Sequence, residues 1–206
     1  MNAYVWIKKN LQGLISWFFQ IHVHGSENEP QDGGYLAIAN HISYIDVLVM
    51  AVALKRQIRF MAKKEVFKVP LIGRIVKSAG AFPVDRKGSA VAPIKKSIAL
   101  LESGEVVGMF PQGHRFRNRK FDTTKDEIKG GAAMATYRAG VPVLPMFIAT
   151  RKDRVLPFRR IDIYVGKPIE YAEFGFEKGG SEEYSRASEV MFDRISELMP
   201  EERRSK

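Results

Sequence analysis

The 206-residue chain contains no cysteine. That absence removes disulfide frameworks, cysteine-based zinc sites and thiol nucleophiles in one step. Long hydrophobic runs are missing as well. A membrane-crossing helix needs about 20 consecutive apolar residues. The nearest candidate, at the N-terminus, is interrupted by Lys8, Lys9 and Asn10. The same stretch lacks the small-residue cleavage site of a secretory signal and carries too many aromatics to be one. No G-x-S-x-G nucleophile elbow occurs. Acidic residues are in deficit, 23 against 33 Lys and Arg, for a formal net charge of +10. A basic excess favours an anionic partner, whether nucleic acid, acidic lipid or phosphorylated metabolite, without choosing among them. An apolar fraction of 45% and a charged fraction of 27% exclude global disorder. The length suits one domain with a core of its own.

Residues 1–24 read as an amphipathic segment. At about 100° per residue, Tyr4, Ile7, Leu11, Leu14, Ile15 and Phe18 share a face. Lys9, Gln12, Gly13, Ser16 and Gln20 lie opposite, with Trp6 and Trp17 beside Gly13. Indoles off the apolar stripe, with lysines nearby, suit a membrane interface. The plainer alternative is a first helix packed on the domain.

Past the polar break GSENEPQDGG, strands alternate with helices. Strands are expected at 35–40, 58–62, 81–84, 105–110, 141–149 and 160–166. Helices are expected from Ser43, over 66–79 with Pro70 in a first turn, over 89–104, over 129–140, and along the charged tail. The pattern predicts an α/β fold: a single domain with a central, mostly parallel or mixed sheet flanked by helices. The main body spans 25–170, and 171–206 form a helical extension of the same domain. The prolines at 142 and 145 point to the edge or end of a strand.

Chemistry concentrates at Asn40-His41-Ile42-Ser43-Tyr44-Ile45-Asp46, where a strand hands over to a helix. Ligands of open α/β sheets sit at the carboxyl ends of strands. On one helix, His41 and Asp46 would diverge by about 140°. With His41 in the loop and Asp46 in the first turn, the carboxylate can reach the imidazole. That makes a base and its orienter, the triad without its serine. His41 would then take a proton from a substrate hydroxyl, which becomes the nucleophile. The competing reading is a helix cap, since Ser43-x-x-Asp46 is also an N-terminal capping signature.

Three further stretches follow in order. Gly80-Ala81-Phe82-Pro83-Val84-Asp85-Arg86 ends a strand on a carboxylate and a guanidinium. Phe110-Pro111-Gln112-Gly113-His114-Arg115 follows the strand EVVGMF. Gly113 permits close backbone approach, and Arg115 can fork onto a phosphate. Val141-Pro142-Val143-Leu144-Pro145 closes the series. Taken together, these blocks resemble the glycerolipid acyltransferase family, above all the 1-acylglycerol-3-phosphate (lysophosphatidic acid) acyltransferases. That family carries N-H-x-S-x-x-D, G-x-x-x-x-x-R, F-P-E-G-T-R and V-P-x-x-P in this order. The likeness covers about residues 35 to 150.

The resemblance implies transfer of a fatty acyl group from acyl-CoA or acyl-carrier protein to a glycerol hydroxyl, with no metal or bound cofactor. It implies His41 as general base, Asp46 as its orienter and Arg115 as the holder of the acceptor phosphate. Arg86 aligns with the second block's arginine, and Lys63 resembles a lysine near the acceptor site. Gln112 and the Gly113 backbone would help shape that site. Gln112, His114 and Phe116 stand where the family usually has Glu, Thr and often Ser. Glu to Gln keeps size and an acceptor oxygen but removes a negative charge. The acceptor could therefore be another lysophospholipid, glycerol-3-phosphate or a membrane alcohol. An inactive lipid-binding relative is a further alternative. The expected partners are an anionic membrane surface, on the cytoplasmic face, a lysophospholipid acceptor and the acyl donor. The basic clusters at 63–77, 115–120 and 151–160 suit that surface. A nucleic-acid-binding reading predicts exposed aromatics interleaved with the basic clusters. Here most aromatics lie in apolar runs or in the N-terminal segment, so no nucleic acid is expected.

Overall fold

The computed structural model describes residues 13–70, 72–78, 80–84, 91–113, 128–150 and 155–204. Seven strands are β1 (Ile21–His24), β2 (Tyr35–Ala39), β3 (Ile58–Lys63), β4 (Phe82–Val84), β5 (Val106–Met109), β6 (Val143–Thr150) and β7 (Ile161–Val165). They form one sheet in the order β1-β7-β6-β2-β5-β3-β4. Every pair is parallel except β6 with β7, so the sheet is mixed. The helices are α1 (Asp46–Ala53), α2 (Ile72–Ser78), α3 (Val91–Glu102), α4 (Gly131–Ala139), α5 (Ser181–Glu197) and α6 (Glu201–Arg204).

Strand β2, YLAIA, has no charged residue and is buried throughout because both its faces are covered. Tyr35, Ala37 and Ala39 join a core with Val49, Met50 and Ala53 of α1. Leu36 and Ile38 join the opposite core, with α4 and α5. Within α5, Ala187, Met191 and Ile195 recur at four-residue intervals, and all three are buried in that second core. Helix α5 thus packs on the face of the sheet opposite α1.

Three local expectations change. The N-terminal segment does not stay helical to residue 24. Helical backbone spans residues 13–18, and Ile21–His24 is a strand parallel to β7, in register from Ile21 opposite Ile161. The expected face over Tyr4 to Leu11 lies outside the described residues. Next, the expected helix over 66–79 is two pieces. A 3-10 turn, Lys64–Lys68, precedes α2, and Val69 between them is extended, as a residue before proline prefers. The Gly73 amide donates to the Val69 carbonyl, so Pro70 does sit in the first turn. Finally, β6 is an inner strand, buried throughout between β7 and β2. Pro145 is tolerated there because the β6–β7 ladder starts at Met146 opposite Val165. At Pro145 only the carbonyl is used on that side, accepting from Gly166, and pairing resumes at Val143, which exchanges both its bonds with Ile169. Among the described residues no helix is long and apolar enough to cross a membrane.

Candidate active site

Strands β2 and β5 are adjacent and parallel. The chain leaves β2 through α1, on one face of the sheet, and leaves β5 towards α4, on the other. Neighbouring strands whose connections part to opposite faces open a crevice at their carboxyl ends. His41 follows β2 and Phe110 follows β5, so both stand at that switch point.

The link from β2 to α1 is held rigidly. Asn40 is buried, and its side chain acts as an extra rung against β6. Its Oδ1 accepts from the Ile148 amide at 2.7 Å and its Nδ2 donates to the Ile148 carbonyl at 3.0 Å. From that anchor the chain turns, and Asp46 opens α1 with its carboxylate directed back. One oxygen, Oδ2, accepts from the Ile42 amide at 2.7 Å, the Ser43 amide at 2.8 Å and His41 Nδ1 at 2.8 Å. One carboxylate oxygen thus holds the loop backbone and the imidazole at once, while the N-cap of α1 is Ile45, with no side-chain cap. Ser43 plays no reciprocal part, since its hydroxyl accepts from the Ile45 amide. A carboxylate can only accept, so Nδ1 carries a proton, and in the neutral imidazole Nε2 is the nitrogen left with a lone pair. Asp46 is fully buried, whereas the His41 side chain is 15% exposed.

The imidazole plane is fixed from the side. Phe110 stacks on His41 with ring centroids 3.9 Å apart and planes 12° from parallel. Phe60 of β3 lies behind Phe110 at 6.3 Å and 15°. Gly108 makes room for that arrangement. It pairs with Phe60 across β5 and β3, and a Cβ there would meet the Phe60 ring at 2.2 Å.

After Phe110 the chain makes a tight turn. The Gly113 amide donates to the Phe110 carbonyl at 2.9 Å, and Gly113 has φ +69. A side chain there would be strained and would press on Lys129. Inside the turn Gln112 is 3% exposed, and neither of its amide atoms has a partner among the described residues. A buried amide left unpaired costs on the order of 1–3 kcal/mol. Asp46 Oδ1 is buried and unpaired likewise.

Lys63 ends β3, exposed, at the same end of the sheet as His41. It is two strand spacings from β2, about 10 Å. Arg86 and Arg115 lie outside the described residues, as does His114. The structure thus brings together His41, Asp46 and the turn bearing Gln112 and Gly113. Sequence reasoning missed the parts played by Asn40, Phe110 and Gly108. Asn40 and Phe110 lie within the quoted motifs, but their partners are set by strand order.

Comparison with known proteins shows the family. A family model described as Acyltransferase matches residues 20–149. A 1-acyl-sn-glycerol-3-phosphate acyltransferase of Bacillus subtilis (strain 168) is 32% identical over 192 residues, covering 91% of this chain and 92% of that protein. A protein of the same name from Streptococcus pneumoniae is 32% identical, covering 92% of this chain and 72% of its own length. The crystal structure of PlsC, the 1-acyl-sn-glycerophosphate (LPA) acyltransferase of Thermotoga maritima, superposes with a TM-score of 0.64 over 96% of this chain and 84% of that one. At 22% identity that likeness speaks for the fold. With more than half of its length inside the family model, and a relative near one-third identical along almost the whole of both chains, this chain belongs to the acyltransferase family.

Proposed function

We propose that the protein transfers a fatty acyl group from acyl-CoA or acyl-carrier protein to the free sn-2 hydroxyl of 1-acylglycerol-3-phosphate, giving phosphatidic acid for phospholipid synthesis. The observation that carries this reading is the His41–Asp46 pair, 2.8 Å apart at the switch point of the sheet. As the acceptor oxygen attacks the thioester carbonyl carbon, its proton passes to His41 Nε2. The imidazolium that forms is stabilised by the Asp46 carboxylate behind it. The carbon–sulfur bond then breaks, and the leaving thiolate takes the proton back from Nε2. No acyl-enzyme is needed, in keeping with a chain that has no cysteine. No metal or prosthetic group enters these steps. Arg115 would pair with the acceptor phosphate, helped by Arg86 and Lys63. Those three assignments rest on the motif resemblance. The names of the relatives from Bacillus subtilis and Streptococcus pneumoniae favour this acceptor.

One observation favours a second acceptor. Gln112 places a neutral amide, without a partner among the described residues, in the turn beside Phe110, where the motif usually has a carboxylate. It offers both a donor and an acceptor to a hydroxyl-rich headgroup. Another lysophospholipid or glycerol-3-phosphate would then take the acyl chain by the same chemistry. In either case the acceptor is drawn from an anionic membrane, on its cytoplasmic face, with the enzyme bound peripherally.

The test is thiol release by the purified protein, with acyl-CoA and acyl-carrier protein donors in turn. The acceptor is lysophosphatidic acid in anionic vesicles, and His41→Ala runs alongside. The expected result is release that needs the acceptor, yields phosphatidic acid and falls by about two to four orders of magnitude in the variant. Turnover only with a different acceptor would move the assignment to that lipid. Absence of turnover with every acceptor and both donors would leave a lipid-binding relative.

A further inference from the structure

The connection from β6 to β7 exposes apolar side chains that the fold could have covered. Leu156 is 46% exposed and Phe158 is 55% exposed. Phe158 also adopts φ +55, a left-handed conformation that a bulky residue rarely takes. The conformation is held from the N-terminal helical stretch: the Phe158 amide donates to the Phe18 carbonyl at 2.8 Å. Its ring packs on Phe18 at 4.8 Å and meets Trp17 edge-on at 5.6 Å. Trp17 is itself 66% exposed and Leu14 57%. Two segments far apart in sequence thus build one apolar tip. Strained backbone at an exposed aromatic needs a reason outside the folded core.

Topology says which way the tip faces. Strand β6 is parallel to β2, so its last residue, Thr150, lies at the end of the sheet that carries His41. Strand β7 starts at Ile161, opposite Thr150, at that same end. β1 is parallel to β7, so the chain entering Ile21 comes from there as well. Arg159, beside Phe158, is exposed, and the whole chain carries +10. Aromatic and aliphatic side chains next to arginine, on the substrate end of the molecule, match the chemistry of an anionic bilayer interface.

We propose that residues 155–160, which lead into β7, are a membrane-insertion element, with Leu156 and Phe158 entering the interfacial layer of an anionic bilayer beside Leu14 and Trp17. Docking in this way turns the carboxyl end of the sheet, with His41, towards the lipid. The orientation, though not the docking itself, rests on the acyl-transfer reading above.

The experiment uses the full chain and vesicles of phosphatidylcholine with and without phosphatidylglycerol. Co-sedimentation is read for the native protein, Leu156→Ser, Phe158→Gly and Phe158→Trp. Glycine suits the left-handed backbone at 158, so Phe158→Gly keeps the fold while removing the ring. The partition coefficient onto anionic vesicles is expected to fall about tenfold in Leu156→Ser and in Phe158→Gly. Phe158→Trp should keep it, and vesicles without phosphatidylglycerol should bind less of every protein. Turnover of a short-chain, monomeric lysophosphatidic acid should stay unchanged in all variants, while turnover of vesicle-borne acceptor falls with binding. Unaltered sedimentation of both Leu156→Ser and Phe158→Gly would overturn the proposal. So would a lipid-free dimer that the two substitutions dissociate, because the tip would then be a contact between copies of the chain. Lost binding in a protein that turns over no acceptor would sink the acyl-transfer reading and uphold the docking surface.

Discussion

At the scale of single residues, Asp46 shows how much one oxygen can carry. Oδ2 accepts from His41 Nδ1 and from the amides of Ile42 and Ser43, while Oδ1 is buried without a partner among the described residues. Asparagine can put its oxygen in the place of Oδ2 and its amide group in the place of Oδ1. Asp46→Asn should therefore keep the loop and lose the charge that stabilises the imidazolium. We expect kcat to fall by about two to four orders of magnitude, with only a small change in Tm. Thiol-release kinetics beside calorimetry check this, and full activity in Asp46→Asn would remove the orienting charge from the mechanism. Asp46→Ala should instead destabilise the protein, because the buried Ile42 amide loses its acceptor at about 1–3 kcal/mol, and the part-buried Ser43 amide adds to the loss. The two residues were legible in the sequence from their spacing at a strand-to-helix junction. Asn40 was not legible as a rung on β6, because nothing local says that β2 lies beside β6.

At the scale of elements, two couplings lead to predictions. Gly108 has no side chain because Phe60 lies across it, and Phe60 backs the Phe110–His41 stack. In Gly108→Ala the ring must move. We expect a stability loss of about 1–3 kcal/mol by urea unfolding, together with a lower kcat as the stack shifts. Native kcat in a destabilised Gly108→Ala protein would show that the stack does not hold the imidazole. The second coupling is at the sheet edge. Strand β1 is tied to β7 by His24 Nε2 on Asp162 Oδ1 at 2.8 Å, and Arg160 clasps the same carboxylate through Nε and Nη2. His24 also stacks on Tyr164. Burial pushes the Asp162 carboxyl up, but the hydrogen bonds from Arg160 and His24 outweigh it and hold the group below its ordinary value. A carboxyl depressed in the folded state stabilises above its unfolded pKa, and that contribution is lost as pH falls through the folded one. Asp162→Asn should therefore loosen β1 at pH 7, by about 1 kcal/mol or less for a pair this near the surface. The difference from the native protein should shrink below about pH 4. Amide exchange over Ile21–His24 reports it, and a difference that grows on acidification would contradict the sign. Strand β1 itself was hidden in the sequence. Four residues after an apolar helix read as its continuation until β7 is there to pair with them.

At the scale of the whole molecule, a buried carboxylate ties the loop before β2 to the turn after α1. Glu29 is 3% exposed. It accepts from the Tyr35 hydroxyl at 2.8 Å, the Lys55 amide at 2.6 Å and the Arg56 amide at 2.9 Å. Arg56 in turn donates to the carbonyls of Gly33 and Gly104, joining a third loop. These contacts gather the amino-terminal ends of the central strands, away from His41. Glu29→Ala should cost about 3 kcal/mol, since it removes the acceptor of the buried Tyr35 hydroxyl and of two part-buried amides. Denaturant midpoints measure this, and kcat of the folded fraction should change little. A large loss of kcat at native stability would mean that this clasp acts on the site and not only on the fold.

The sequence by itself determined the alternation of strands and helices, the buried character of β2 and the chemistry of the His41–Asp46 loop. These follow from local apolar runs and short spacings, which need no knowledge of what lies across the sheet. Only the tertiary structure decided the strand order, and with it everything that strand order brings together. It set β2 and β5 side by side with connections to opposite faces, so that Phe110 lands on His41. It placed Pro145 where a missing donor is tolerated, and joined residues 13–18 to residues 155–160 in one exposed tip. Each of these contacts spans tens of residues or more, and a one-dimensional pattern carries no record of which strand becomes whose neighbour.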